Sequence, residues 1–261
     1  MTNYRISVLM GCAPTLQEAL DSLYAQTFQN FKIILCDDGS NDDTLAIAER
    51  NANEHPGKVT VIKNERNMGL NYTLNHCLEY ADTEYCARMD GDDISMPERF
   101  EKEIQFLNKH PEYAVVSAPM IYFDEKGDFR KGKGNGEVKT KDFVLGTPIC
   151  HAPSMSRTSV LKAVGGYSVS RKLLRVEDYH LWFKVFAAGH KLFMLDECLY
   201  KMRDDRNAIA RRDWLTRCNE AYVKHIGYKM IGLPWWYQIY SLVPILKYFV
   251  PKWLYSHFHK N

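Results

Sequence analysis

The chain of 261 residues contains no Cys-x-x-Cys pair; its seven cysteines, at 12, 36, 77, 86, 150, 198 and 218, are odd in number and widely scattered. That spacing excludes a zinc ribbon or a disulfide framework and fits a reducing compartment. Several of these thiols lie inside apolar runs, where cysteine behaves as a small hydrophobe. No Gly-x-Gly-x-x-Gly follows the first apolar run, which removes the common dinucleotide-binding reading. The longest uncharged run, 230–246, is broken by Pro234, Gln238, Ser241 and Pro244 and is too short for a membrane-spanning helix. The first residues lead straight into an apolar stretch at 6–10 that is too short for a signal peptide and has no cleavage pattern. Acidic residues are missing from 221–261, where five lysines give +5; the formal net charge of the whole chain is +2, so the other 220 residues sum to −3. A body that is not basic argues against a nucleic-acid partner.

With 46% apolar and 25% charged residues, the chain can bury the core of one large domain. Apolar runs at 6–10, 31–36, 59–62, 84–89 and 113–118 read as strands. Between them lie stretches with apolar residues at helical spacing, such as Leu16, Ala19, Leu20 and Leu23, or Phe100, Ile104 and Leu107. Repeated strand–helix units predict an α/β fold: a Rossmann-like, mostly parallel sheet flanked by helices, with ligands gathered at the carboxyl ends of the strands. Further along, 124–128 reads as a hairpin turn and 156–164 as a helix stopped by Gly165-Gly166. A second helix opens at Glu177-Asp178, and short strands are expected at 191–195 and 199–203. A composition shift divides the chain into a domain at 1–220 and a basic, aromatic, helical tail at 221–261. Eleven of the 33 aromatic residues fall in that tail, including Trp235, Trp236 and Trp253.

Two acidic clusters close predicted strands. Asp37-Asp38-Gly39-Ser40 follows the second, and Asp90-Gly91-Asp92-Asp93 follows the strand at 84–89. Carboxylates crowded at a buried strand end repel one another unless a cation or ligand compensates them. Mg2+ is commonly held by one or two carboxylates plus substrate phosphates. The plainer reading of either cluster is a solvated turn, the second leading to a helix near Pro97 with Ser95 as its cap. The stretch 127–134 nearly fits a P-loop but lacks the final Ser or Thr and a following helix.

Taken in order, the motifs resemble the family 2 inverting glycosyltransferases, which use nucleotide-diphosphate sugars and have the A-type (GT-A) transferase fold. They are Ser7-Val8-Leu9-Met10, Ser22-Leu23-Tyr24-Ala25-Gln26-Thr27-Phe28, Asp37-Asp38-Gly39-Ser40, Asn64 with Asn67-Met68-Gly69-Leu70, Arg88 to Asp93, and Glu177-Asp178-Tyr179 with Leu181-Trp182. The resemblance covers about residues 5–205. The tail from Leu233, with Pro244, Pro251 and Lys252, is similar to the ends of bacterial surface-polysaccharide transferases.

The resemblance implies a divalent cation, Mn2+ or Mg2+, held by Asp92 with Asp90 beside it. It implies a nucleotide site with Asp37, Asp38, Asn67, Arg88, Asp90 and Arg203, in which an acceptor-only carboxylate takes the uracil N3–H. Asp178 is then the general base, with Glu177 orienting a hydroxyl or supporting it, and His151, Gly166 and Tyr167 shape an acceptor pocket. The partners expected are a uridine-diphosphate sugar and a saccharide, lipid-linked at the inner face of the cell membrane. The tail would make peripheral membrane contact there, or pack on a second subunit as a homo-oligomer. Two positions depart from the family pattern: Gly11-Cys12-Ala13-Pro14 stands where Pro-x-Tyr-Asn is usual, and Asp205 where many relatives have a histidine. Rival readings are a catalytically inactive saccharide- or partner-binding relative and a sugar-phosphate nucleotidyltransferase; the latter would need a glycine-rich, lysine-bearing loop that 11–15 lacks.

Overall fold

Apolar strands alternate with amphipathic helices in the computed structural model, which describes residues 4–204 and 213–249. Asp205, Pro251, Lys252 and Trp253 lie outside the described residues. The chain opens β1 (Ile6–Gly11), α1 (Leu16–Tyr24), β2 (Phe31–Asp37), α2 (Thr44–Glu54), β3 (Val59–Lys63), α3 (Leu70–Glu79) and β4 (Tyr85–Met89). It continues β5 (Ile94–Ser95), α4 (Arg99–Lys109), β6 (Tyr113–Ser117), β7 (Met120–Asp124), β8 (Gly127–Lys131), β9 (Gly136–Glu137), α5 (Asp142–Leu145), β10 (Met155–Arg157) and α6 (Thr158–Ala163). The last described elements are α7 (Glu177–Ala187), β11 (Lys191–Met194), β12 (Tyr200–Arg203), α8 (Trp214–Met230) and α9 (Val243–Tyr248), with 3-10 turns at Arg171–Leu173 and Trp235–Leu242.

Eight strands form the main sheet in the order β3-β2-β1-β4-β10-β6-β11-β9; β10 and β9 run antiparallel to their neighbours and the rest are parallel. Both faces are covered. In β1, Ile6, Val8 and Met10 point to one side, against Leu16, Leu20 and Leu23 of α1 and Phe100, Ile104 and Leu107 of α4. Leu9 points to the other, where Leu74 and Leu78 of α3 and Leu181, Trp182 and Phe183 of α7 form a second core. The period-2 register of a strand makes this division unavoidable. The helix expected from about Ser156 begins at Thr158 instead, because Met155–Arg157 pairs with both β4 and β6. Three residues are too few for alternation to be visible in a sequence. Arg157 fastens the strand in place, Nε donating to the Tyr113 carbonyl at 2.9 Å and Nη2 to that of Leu107 at 2.8 Å.

A small second sheet, β5-β12-β7-β8, stands at the carboxyl end of the large one. It brings β12 beside β5, directly after the Asp90–Asp93 turn. The boundary drawn between 220 and 221 falls inside α8, so the change in composition is not a break in the backbone. Helix α8 packs on α7 through Gly227, where an added Cβ would strike the buried ring of Phe183. Alanine is worth about 1 kcal/mol more than glycine inside a helix, but overpacking a filled core costs ~1–3 kcal/mol. Gly227→Ala should therefore lower stability in a denaturant titration; a gain would show that the contact yields.

Candidate active site

Strand β4 delivers its last charged residue into the protein. Arg88 is 5% exposed and paired with Asp90. Burial works against the guanidinium's charge, but Asp90 outweighs it and the pKa is raised. Fully buried Arg99 of α4 braces the strand end by donating to the Arg88 carbonyl at 2.8 Å, while paired with Glu103 at 3.3 Å. The glycine between the two acids is dictated by contact. A Cβ on Gly91 would lie 2.6 Å from the Gly11 carbonyl oxygen, so the turn can press against the loop after β1 only without a side chain.

The three carboxylates of this turn differ. Asp93 is buried and accepts from the Arg203 amide at 2.8 Å; burial first, and the charge of Asp90 second, push its pKa up to about 7. Asp92 is an exposed residue, yet shielding of its carboxyl from water, followed by the charge of Asp90, raises its pKa as well. Asp90 is half-buried, its amide donating to the Tyr200 hydroxyl at 3.0 Å. Such crowding is what a divalent cation relieves, and the donor set is all oxygen, as hard cations require. Among the described residues no group of three or more His, Cys, Asp or Glu is arranged to hold a metal, so the remaining oxygens would have to come from water and substrate. Arg203 lies at the same turn. Its Nε donates to the Asp92 carbonyl at 3.0 Å and its guanidinium pairs with Glu18.

At the end of β2 the adjacent acids divide. Asp38 accepts from the amides of Met68 (2.7 Å) and Gly69 (2.8 Å) and from the Asn64 side chain (2.8 Å), tying down the loop before α3. Asp37 is buried and accepts from the Ser40 amide at 3.3 Å. Gly39, with φ +79°, closes against the Asn67 amide, whose residue is exposed.

On the other side of Arg88 a cavity of about 750 Å3 is walled by Arg88, Asp90, His151, Glu177 and Asp178. Asp178 opens α7 from a half-buried position. Burial first and Glu177 second raise its carboxyl to about 7, against the lowering effects of the Tyr179 amide and Arg88. Glu177 is raised too, chiefly by burial, and its Oε2 is buried with no hydrogen-bond partner. The backbone that aims both acids turns at Arg175, whose φ of 65° is left-handed, a conformation rare outside glycine and common at functional sites.

His151 is held neutral, its pKa driven well down by burial and then by Arg88. Its Nε2 lies 2.8 Å from the Tyr167 hydroxyl. Tyr167 and Gly166 do not line the cavity, contrary to the sequence expectation. Tyr167 stands behind His151, and Asn75 exchanges hydrogen bonds with its amide and carbonyl, both at 2.7 Å; Asn75 also leaves no room for a Cβ on Gly166, which lines a separate pocket with Asn75 and Lys162. The sequence reading also missed Arg130, Arg175, Arg217 and Lys247, which share the cavity. Only Arg175 carried a signal, its place two residues before Glu177.

With this geometry in hand, the comparisons with known proteins are consistent. The sequence profile described as glycosyl transferase family 2 matches residues 6–164. EpsE of Bacillus subtilis (strain 168), which is named as a glycosyltransferase, is 37% identical over 98% of this chain and 94% of its own. AmsE of Erwinia amylovora, named as an amylovoran biosynthesis glycosyltransferase, is 35% identical over 76% of this chain and 74% of its own. Among solved structures, S. aureus TarS in complex with UDP-GlcNAc superposes with a TM-score of 0.69 at 19% identity, over 91% of this chain and 69% of that one. The mannosyltransferase PcManGT of Pyrobaculum calidifontis, in complex with GDP-Man and Mn2+, gives 0.65 at 19% identity, over 93% and 74%. Identities that low speak for the GT-A fold alone, while the profile and EpsE speak for the family. The profile covers more than half of the chain and EpsE matches nearly all of it, so this chain belongs to glycosyl transferase family 2 and is a glycosyltransferase.

Proposed function

We propose that the protein moves a sugar from a uridine-diphosphate donor to a saccharide hydroxyl with inversion at the anomeric carbon, using Mn2+ or Mg2+, in surface-polysaccharide synthesis. The observation that carries this reading is that Asp90, from the acid turn, and Asp178, raised to about 7, face the same cavity. A base with a pKa near the working pH is effective for taking a hydroxyl proton. Support for polysaccharide synthesis comes from the name of AmsE, and for a nucleotide-sugar donor and a cation from the complexes of TarS and PcManGT. With Asp38 committed to its loop, Asp37 is the carboxylate left to read the base. A carboxylate accepts from the ring N–H of uracil or guanine and has nothing to accept at N3 of cytosine.

In this mechanism Asp178 takes the proton of the acceptor hydroxyl as its oxygen bonds to the anomeric carbon. The bond from that carbon to the donor's phosphate oxygen breaks, and its electron pair leaves with the nucleoside diphosphate. Asp92, with Asp90, would hold the cation, which neutralises charge on the departing diphosphate. Glu177 supports the base, and neutral His151 offers a hydrogen bond without adding charge.

The tail is proposed as a peripheral membrane contact. Among the described residues no helix is long and apolar enough to cross a membrane. Trp235 (80% exposed), Trp236, Ile239 and Phe249 (69%) present apolar surface, with Lys229 and Lys247 nearby in sequence and no acid after Glu220 to repel anionic lipid.

Four outcomes are expected. The carboxyl of Asp178 works only when ionised, and its raised pKa puts that transition near 7; kcat/KM should climb about tenfold per pH unit below 7 and level off above it. Asp178→Asn should bind UDP normally yet lose transfer, and normal transfer by that variant ends the base assignment. Asp92→Ala should weaken Mn2+-dependent binding of UDP by about tenfold or more in calorimetry; unchanged affinity, or tighter binding of GDP than UDP by the native protein, overturns the donor reading. Finally, the protein should float with phosphatidylglycerol vesicles and a Trp235→Ser, Trp236→Ser variant should stay behind; equal flotation removes the membrane role.

A further inference from the structure

The loop at 64–69, which meets the end of β2, is held from α3 by a chain of hydrogen bonds that the mechanism does not use. Asp38 accepts from the amides of Met68 at 2.7 Å and Gly69 at 2.8 Å, and from Nδ2 of Asn64 at 2.8 Å. The same Nδ2 donates to the Thr73 hydroxyl at 3.1 Å. A carboxylate only accepts, so the atom of Asn64 that faces Asp38 is its amide nitrogen. That assignment fixes its Oδ1 toward α3, 2.8 Å from Nδ1 of His76 and 3.6 Å from the thiol of Cys36. An amide oxygen has no hydrogen to give, so Nδ1 of His76 carries the proton. The neutral ring in this tautomer and the imidazolium both donate from that atom, and the bond survives a change in the charge of the ring.

The imidazole is held in its plane. Tyr72 and Tyr80, one helical turn away on either side, meet the half-buried ring edge-on, with centroids at 6.3 and 5.7 Å. At the other end of the chain the loop presses on the residues after β2: a Cβ on Gly39 would lie 3.0 Å from the Asn67 amide nitrogen. Both acids that close β2 are reached in this way, Asp38 through its carboxylate and Asp37 through its neighbour Cys36. Resting on the proposed function, we infer that His76 is a positioning residue for the nucleotide. Through Asn64 it orients Asp38, Asp38 holds the Met68 and Gly69 amides, and the loop so held forms a wall of the base site beside Asp37. His76 itself touches no substrate. Its influence ends at the base, because the acid turn proposed for the diphosphate follows β4, and β1 lies between β4 and β2.

The test is calorimetry with Mn2+ on the native protein and three variants. Asparagine places its nitrogen where histidine has Nδ1, whereas glutamine carries it one bond further out. His76→Asn should therefore keep its affinity for UDP within about twofold, while His76→Gln and His76→Leu should each weaken it by about fivefold, as expected for the net loss of one hydrogen bond. Helix propensity runs the other way, since glutamine and leucine favour a helix interior more than asparagine does. A role confined to the stability of α3 would thus rank His76→Asn last. Inorganic pyrophosphate, which has no base, should bind all four proteins alike. Equal UDP affinity in His76→Asn and His76→Gln overturns the inference, and that comparison decides the matter if His76→Leu does not fold. A matching loss of pyrophosphate binding overturns it too, by showing that the disturbance reaches the acid turn. Native protein that binds GDP in place of UDP would instead fault the donor reading, and the same variants then test the positioning role with GDP.

Discussion

The guanidinium of Arg88 is the charge around which the site is organised. It sits at the end of the central strand, almost without access to water, and such a group is tolerated only when anions and hydrogen-bond acceptors surround it. Asp90 meets that need directly. The same positive charge works against the burial that raises the pKa of Asp92, Glu177 and Asp178, and adds to the burial that drives His151 toward its neutral form. Removing it would take away the cation paired with Asp90 and strengthen the repulsion between the acids on the two sides of the cavity. The acid turn and the start of α7, 85 residues apart in sequence, are thus parts of one electrostatic unit.

Around that unit the fold separates two kinds of acid. Asp38 and Asp93 are consumed by backbone amides and hold loops in place. Asp92 at the surface and Asp178 at the cavity wall keep carboxylates turned toward space a ligand can enter. Neighbours one position apart in sequence have opposite duties because consecutive residues at a strand end point in opposite directions.

Much of the sheet was legible in the sequence because β1, β2, β4 and β6 are apolar runs of five or more residues flanked by helices with a clear face. The acids closing β2 and β4 were visible for the same reason, as charge placed where burial is due. Strand β10 was not, being three residues long and specified only by the gap between β4 and β6. Nor could the sequence tell Asp37 from Asp38, since the loop at 64–69 that claims Asp38 arrives from another element. Arg175, Arg217 and Lys247 come from a turn and two helices joined by packing alone, and no spacing links them. Gly166 and Tyr167 lay near the pocket in the sequence reading, but Asn75 captures the backbone of Tyr167 and leaves it as backing for His151, while Gly166 lines a separate pocket.

Gly227 has a mechanical meaning. Because α8 meets Phe183 of α7 with no side chain between, the two helices cannot slide without opening the core. Asp178 is five residues before Phe183 on the same rigid rod, about 7.5 Å along its axis. Whatever rests against Trp235 and Trp236 is therefore coupled through α8 to a fixed height above Asp178. On the proposed function, the depth at which an acceptor would present its hydroxyl is set by the absence of one methyl group.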